Sequence, residues 1–402
     1  MPKLNRSHRD GTPGEVFLAF LKLGVTSFGG PIAHLGYFRD ELVTRRRWID
    51  EAGYADLVAL CQFLPGPASS QVGFAMGLLR GGLGGALLAW LAFTLPSALL
   101  LVLFAYGADA FAGPLGQSVI HGLKLVAVAV VAQAVWGMAR NLCPDRRRAA
   151  IAIVAVLIVT FISSSLGQIA AIVVGALAGW VGCRRIQAPS ANRLHFGLSP
   201  RAGVVALGLF LFLLFGLPLA LTLWQAPGLA LFEAFYQAGA LVFGGGHVVL
   251  PLLEASVVDP GWVSQNAFLA GYGAAQAVPG PLFTFAAYLG AVAAPIGNGL
   301  IGACVALVAI FLPGMLLLMG MLPFWDRLRQ RPRAQAIMAG TNAAVVGILA
   351  AALYDPVWTG AVLAPVDFAI ALVAFTLLVV WKLPPWLVVV TTVIGSVVVA
   401  SL

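Results

Sequence analysis

Apolar residues fill this chain in long runs, and the runs are broken in a regular way. Residues 16–37 are interrupted at Phe28-Gly29-Gly30-Pro31, and residues 54–79 at Pro65-Gly66-Pro67. Unbroken runs follow at 83–106, 118–139, 149–162, 168–181 and 202–224. The breaks then return about 215 positions after their first appearance, a period that marks a duplicated unit. Phe243-Gly244-Gly245-Gly246 echoes the first break and Pro279-Gly280-Pro281 the second, with Gln62 and Gln276 placed alike before their prolines. Runs at 300–322, 334–353, 366–380 and 386–402 complete the second set.

Glycine loosens a helix, and proline removes a donor and clashes with the preceding turn. Broken backbone within lipid-length apolar runs is tolerated only where protein or a water-filled cavity replaces lipid. Matched interruptions in two halves point to a transporter's binding site. The expectation is an all-α polytopic membrane protein.

Composition agrees. Of 402 residues 61% are hydrophobic and 9% charged, and the mean hydropathy is +0.97, which a soluble domain would carry only with large exposed apolar patches. The first fourteen residues are polar and basic, so no secretory signal peptide is expected. The net charge of +8 sits in short loops between apolar runs, where it sets topology rather than marking a nucleic-acid partner. Four cysteines without CxxC spacing read as small apolar fillers or inert thiols.

Positive charge marks the cytoplasmic side. Lys3, Arg6 and Arg9 precede the first run, and Arg39, Arg45, Arg46 and Arg47 follow it. Both flanks being cytoplasmic, the run is expected to be a re-entrant hairpin, the alternative being one tilted span. The second broken run ends at Arg80 and has the same signature. Later basic clusters at Arg140, Arg146 to Arg148, and Arg184 and Arg185 mark further returns to the cytoplasm. Residues 186–201 read as a linker, and the run 202–224 as an unpaired span that turns everything after it upside down. Glu254, Asp259, Asp355 and the uncharged stretch 292–298 fall on the expected outer face, and Arg327, Arg329, Arg331, Arg333 and Lys382 on the inner one. The predicted architecture is two inverted-topology repeats, residues 1–185 and 231–402. Each has two broken or re-entrant helical hairpins and about four membrane crossings, and an extra span within 186–230 joins them. The amino terminus is expected in the cytoplasm and the carboxyl terminus in the periplasm.

Proline suits the first helical position. If Pro31 and Pro67 open the returning arms, free N–H groups and the positive dipole end face the bilayer midplane, where they bind anions without a charged side chain. Candidate substrate-binding residues are therefore Ser27, Phe28, Gly29, Gly30, Pro31, Gln62, Pro65, Gly66, Pro67 and Ser69. Their counterparts in the second half are Phe243, Gly244, Gly245, Gly246, Gln276, Pro279, Gly280 and Pro281. Lys22 and Lys124 join them as ionisable residues inside apolar runs, with snorkelling as the alternative. His34 and His247 are candidates for proton coupling or for capping. HExxH, GxSxG and Walker patterns are absent, so neither an enzyme nor a bound cofactor or metal is expected.

Phe28-Gly29-Gly30-Pro31 with His34, Arg45-Arg46-Arg47-Trp48, Leu64-Pro65-Gly66-Pro67, Gly81 to Gly85 and Phe93-Thr94-Leu95-Pro96 resemble the first half of the two-domain chromate transporters of bacteria. Phe243-Gly244-Gly245-Gly246-His247, Pro279-Gly280-Pro281 and Phe311-Leu312-Pro313-Gly314 resemble the second. The resemblance covers nearly the whole chain. It implies an inner-membrane exporter of chromate that confers chromate resistance, with halves of opposite orientation. One departure is Ala68-Ser69, where many relatives carry Asn or Thr, and it bears on substrate preference. Export suits the energetics, since a dianion leaving an inside-negative cell moves down the potential. The competing readings are uptake or exchange of sulfate or a related oxyanion and, more remotely, an intramembrane enzyme. Expected partners are chromate or sulfate, the lipid bilayer, and a second copy in a homodimer; nucleic acid is excluded.

Overall fold

All regular elements among the described residues are helical. The first pair is α1 (Pro13–Thr26) and α2 (Gly30–Phe38), the latter running on into a π-helical turn, Arg39–Arg45. Thr12 caps α1 by accepting from the Glu15 amide. The two helices lie antiparallel. Phe20 meets Phe38 edge-on at 5.6 Å, Lys22 Nζ pairs with Glu41 at 2.7 Å, and Glu15 reaches Arg46 and the indole N–H of Trp48. The start of α1 and the basic residues after α2 therefore share one end, so the two helices form a helical hairpin.

The second pair is α3 (Glu51–Phe63) and α4 (Ala68–Tyr106). Asp50 caps α3 by accepting from the Gly53 amide. Arg39 binds Glu51 at 2.5 Å and Arg80 reaches Glu15 at 3.2 Å, so this pair stands on the same base as the first. The sequence predicts two runs separated at Arg80; the structure joins them in α4 through a sharp bend at Gly81 and Gly82. Gly82 has φ of 62°, and the arms close so tightly that a Cβ on Gly77 would lie 2.5 Å from the Gly85 carbonyl.

This is a computed structural model describing residues 11–107, 113–162, 165–183, 198–293, 299–328 and 331–401. Lys3, Arg6, Arg9, Arg184, Arg185, Arg329, most of the expected linker and most of the loop 292–298 lie outside the described residues.

Helices α5 (Pro114–Leu142), α6 (Arg146–Phe161) and α7 (Ser165–Gly182) complete the first half, and α8 (Pro200–Leu223) stands between the halves. The second half repeats the order. Helix α9 (Pro227–Ala240) leads through a short 3-10 turn into α10 (Val249–Val257); α11 (Gln265–Ala275) leads through another into α12 (Phe285–Val292). Then come α13 (Gly299–Met321), the short α14 (Trp325–Leu328), α15 (Pro332–Ala352), the one-turn α16 (Thr359–Ala361), α17 (Pro365–Val379) and α18 (Pro385–Ser401).

Among the described residues five helical segments are long and apolar enough to cross a membrane: α4, α5, α8, residues 299–324 and residues 332–361. Helices α7, α17 and α18 are apolar but shorter, as is the 16-residue α6.

Packing shows why the halves hold together. Helix α1 lies along α4 as α9 lies along α13, but α5 packs on α17 and α18 of the other half, and α15 packs on α6 and α7. Each half thus lends its last two helices to its sister. Glycines permit the close approach: a Cβ on Gly122 would meet Val393 at 2.8 Å, and one on Gly179 would meet Gly340 at 2.8 Å, the small-residue contact that membrane helices use in place of a hydrophobic drive. Helix α8 contacts α13 and α9 and is otherwise largely exposed, with Phe212 and Phe215 each 70% accessible.

Candidate functional site

The four Gly/Pro turns meet across the halves. The amide of Gly66 donates to the carbonyl of Val242 at 2.7 Å, and the amide of Gly280 donates to the carbonyl of Ser27 at 2.9 Å. These bonds correspond under the repeat: each joins the Pro-Gly-Pro turn of one half to the residue before the glycine turn of the other. The two glycine turns also touch, since a Cβ on Gly246 would lie 3.2 Å from Pro31 Cγ and one on Gly30 would lie 3.9 Å from His247 Nε2.

The turns depend on glycine at two positions above all. Gly66 has φ of 119° and Gly280 of 99°, a region that L residues rarely enter. Space is short as well: a Cβ on Gly66 would sit 3.0 Å from Gly314 Cα, and one on Gly280 would sit 2.7 Å from Ser97 Oγ.

Every helix that starts at these turns starts without a side-chain cap. That holds for α2 after Gly29, α4 after Pro67, and the 3-10 turns after Gly245 and Pro281. By contrast Thr12, Asp50, Asp145, Ser199 and Ser264 cap the starts of α1, α3, α6, α8 and α11. The sequence places Pro31 and Pro67 alike as helix openers. Pro31 does lie in the first turn of α2, whereas Pro67 is the residue before α4. In the second half the openings are 3-10 turns rather than α-helical ones.

Buried polar atoms without a protein partner gather here: Ser27 Oγ, His34 Nε2, Ser70 Oγ, Gln71 Oε1, Thr94 Oγ1 and Asn342 Oδ1. Such groups are costly unless a ligand or water completes them. His34 Nδ1 lies 3.4 Å from Ser69 Oγ, and His247 Nδ1 lies 2.7 Å from the Tyr272 hydroxyl. Asn342 is 3.5 Å from the Cβ position of Gly244, and Met138 flanks Gly244 and Gly245.

Other predicted residues stand apart from the turns or only beside them. Lys22 is half-exposed and is bound to Glu41 at the polar base of the first hairpin. Arg45 and Arg46 bind the same carboxylate at 3.1 and 2.8 Å. Burial alone would raise the Glu41 carboxyl, but hydrogen bonds from Lys22, Arg46 and Arg45 outweigh it and hold it down at about 2. Lys124 is buried and donates to Asn266 Oδ1 at 3.0 Å. Gln62 is exposed, and Gln276 donates to the Tyr272 carbonyl of its own helix at 3.4 Å. Phe28 packs against Trp386 of α18 with ring centroids 6.4 Å apart.

Sequence reasoning misses Gln71. Its Nε2 donates to the carbonyls of Pro65 at 3.0 Å and Gly314 at 2.9 Å, pinning the second turn to α13. The available signal is an amide in an otherwise apolar run; comparing the halves hides it, because the corresponding part of α12 is apolar.

Comparison with known proteins decides what this arrangement belongs to. The chromate transporter family model matches residues 14–180 and again 229–398. The chain belongs to the chromate transporter family. Its two matched stretches leave α8 between them. A chromate transport protein of Pseudomonas aeruginosa is 31% identical over 85% of this chain and 80% of its own length. A probable chromate transport protein of Synechococcus elongatus is 31% identical over 83% of this chain and 82% of its own. A chromate transport protein of Cupriavidus metallidurans is 28% identical over 84% and 81%. No solved structure matches the chain. Membership of this family makes the chain a multi-pass membrane transporter rather than an enzyme.

Proposed function

We propose that this transporter exports chromate from the cytoplasm across a bacterial inner membrane, and that the anion is held where the four uncapped turns meet. The observation that carries the reading is the pair of equivalent hydrogen bonds, Gly66 to Val242 and Gly280 to Ser27, which brings four helix starts to one place. Helix starts present spare N–H groups and partial positive charge, and so bind oxyanions. Ser27, Ser70 and His34 add partnerless polar atoms that tetrahedral oxygens can satisfy. A dianion is matched by dipoles that cost no buried counter-charge.

In this reading the halves are inverted, each with two re-entrant hairpins and four crossings. The shared base of the first two hairpins, with Lys22, Arg39, Arg45, Arg46 and Arg80, faces the cytoplasm and gathers anions there. Each charge moved through about 100 mV is worth roughly 2.3 kcal/mol, so a dianion leaving an inside-negative cell gains about twice that and needs no further energy source.

The test is uptake of labelled chromate and labelled sulfate into everted vesicles containing this chain. Chromate accumulation that follows the imposed potential is expected. Sulfate carried with no movement of chromate would replace the substrate, and movement only in the opposite direction would replace export with uptake.

A further inference from the structure

Beyond the turns the structure holds a cavity of about 660 Å³ bounded by α5, α11, α17 and α18, with a mostly apolar lining and a cluster of polar side chains at one place. Its residues on α5 include Gln117, His121 and Lys124, which fall on one helical face. Asn266 from the first turn of α11 and Asp367 from the first turn of α17 stand across from them. Asp367 is helical and buried.

Charge in this cavity is unevenly matched. The Asp367 carboxylate is spent: one oxygen takes His121 Nε2 at 2.8 Å, and the other accepts the amides of Leu363 and Ala364 at 3.0 and 2.9 Å. Lys124 is 7% exposed and its hydrogen-bond partner is the neutral amide of Asn266. Asp367 lines the same cavity and attracts the ammonium through space, without a direct ion pair among the described residues. A buried cation whose one nearby carboxylate is already shared with His121 and two amides is only partly compensated, and an anion in the cavity beside it lowers that cost.

The cavity also lies along a helix from the first turn. On α18, Trp386 packs against Phe28, while Val393 and Ser396 pack against Gly122 of α5. Seven residues separate Trp386 from Val393, a rise of about 10 Å along the helix. Lys124, two residues from Gly122, therefore lies further along α18 than the Phe28 turn, toward the ends of α5, α11 and α17 that the charge pattern places outside.

We infer that this cavity is a second, outward-facing site for a tetrahedral oxyanion, with Lys124 as its cationic anchor and the His121–Asp367 pair as its fixed rim. The inference rests on the reading of the turns as the transport site, since it makes the cavity the last stop before release. A site of moderate affinity on the exit route draws the anion off the turns, as adjacent sites do in conducting pores.

The test uses the full chain in phosphatidylcholine vesicles, with Gln117→Cys as reporter and Cys304→Ala to remove an exposed native thiol. Labelling by a membrane-impermeant thiol reagent is followed with and without sulfate, which unlike chromate does not oxidise thiols. Sulfate is expected to slow labelling at least threefold. Lys124→Gln is expected to raise the sulfate concentration for half-protection at least tenfold, and Lys124→Arg, which keeps the charge and controls for folding, to retain protection. Protection that is absent, or unchanged in Lys124→Gln, overturns the site. Protection already complete in phosphatidylglycerol vesicles without sulfate assigns the cavity to a lipid phosphate and overturns it equally. Chromate transport by the same vesicles reports separately on the turns: transport with no sulfate protection sinks only the outer site, and protection without transport sinks the exporter reading.

Discussion

At the scale of single residues, the two Pro-Gly-Pro glycines bear the tightest constraint near the site. Alanine at Gly66 or Gly280 must hold a left-handed backbone, at a cost of about 1–2 kcal/mol, and must also find room. Near Gly66 the obstacle is the backbone of Gly314, which cannot move aside; near Gly280 it is the Ser97 hydroxyl. Both variants are expected to lower the melting temperature in detergent and to cut chromate transport at least tenfold. Ser97→Gly, which makes the α4 position like Gly314 on α13, is expected to restore part of the transport of Gly280→Ala. Full transport in both single variants would show that the cross-half bonds do not shape the site. These glycines were legible in the sequence because they recur in both halves. Gln71 was not, because it has no polar counterpart, and its role follows from a carbonyl of α13 more than two hundred positions away. Lys22 was legible as an oddity in an apolar run, but its partner Glu41 was not, because only the antiparallel return of α2 brings the two together.

At the scale of elements, the base of the first two hairpins is a charge network in which each carboxylate serves several cations. Glu41 holds Lys22, Arg45 and Arg46, and Glu15 holds Arg46 and Arg80 while accepting from Trp48. The network ties α1 to the turn after α2 and to the bend of α4, so it fixes how the hairpins stand. Its pH dependence has a definite sign. The folded Glu41 carboxyl, at about 2, lies below its ordinary 4.5, so its stabilisation is fully present above pH 4.5 and is lost as pH falls toward 2. Thermal unfolding of the detergent-solubilised chain is expected to show Glu41→Gln less stable than the parent at pH 7, with the gap narrowing between pH 4.5 and pH 3. A gap that stays constant over that range would mean that the carboxylate's charge contributes nothing. The breaks between α1 and α2 and between α3 and α4 were readable from the Gly and Pro clusters that interrupt the apolar runs. The bend that fuses residues 68–80 with 83–106 was not, because Arg80 marks a return to the polar face equally well whether the helix stops or turns there.

At the scale of the whole molecule, the repeat that is plain along the sequence becomes an exchange in space. Helix α5 packs on α17 and α18, and α15 packs on α6 and α7, so the first half does not enclose its own α5 nor the second its own α15. Sequence periodicity reports that two units exist; it carries no information on which unit covers which, because both arrangements bury the same apolar faces. The exchange has a mechanical consequence, since the Gly66 to Val242 and Gly280 to Ser27 bonds also run between halves. The meeting of the four turns is therefore a property of the assembled pair. Chains divided within residues 186–197 are expected to give, when co-expressed, a complex that copurifies and transports chromate at a substantial fraction of the intact rate. Each half alone is expected to lack a cooperative thermal transition, because Gly122 of α5 and Gly340 of α15 then face lipid in place of the Val393 and Gly179 surfaces that fit them. A first half that unfolds cooperatively by itself would show that its core closes without the second. Since a glycine-lined face gives lipid chains far less contact than a fitted helix does, the intact pair is expected to be the more stable by a margin that Gly340→Leu removes.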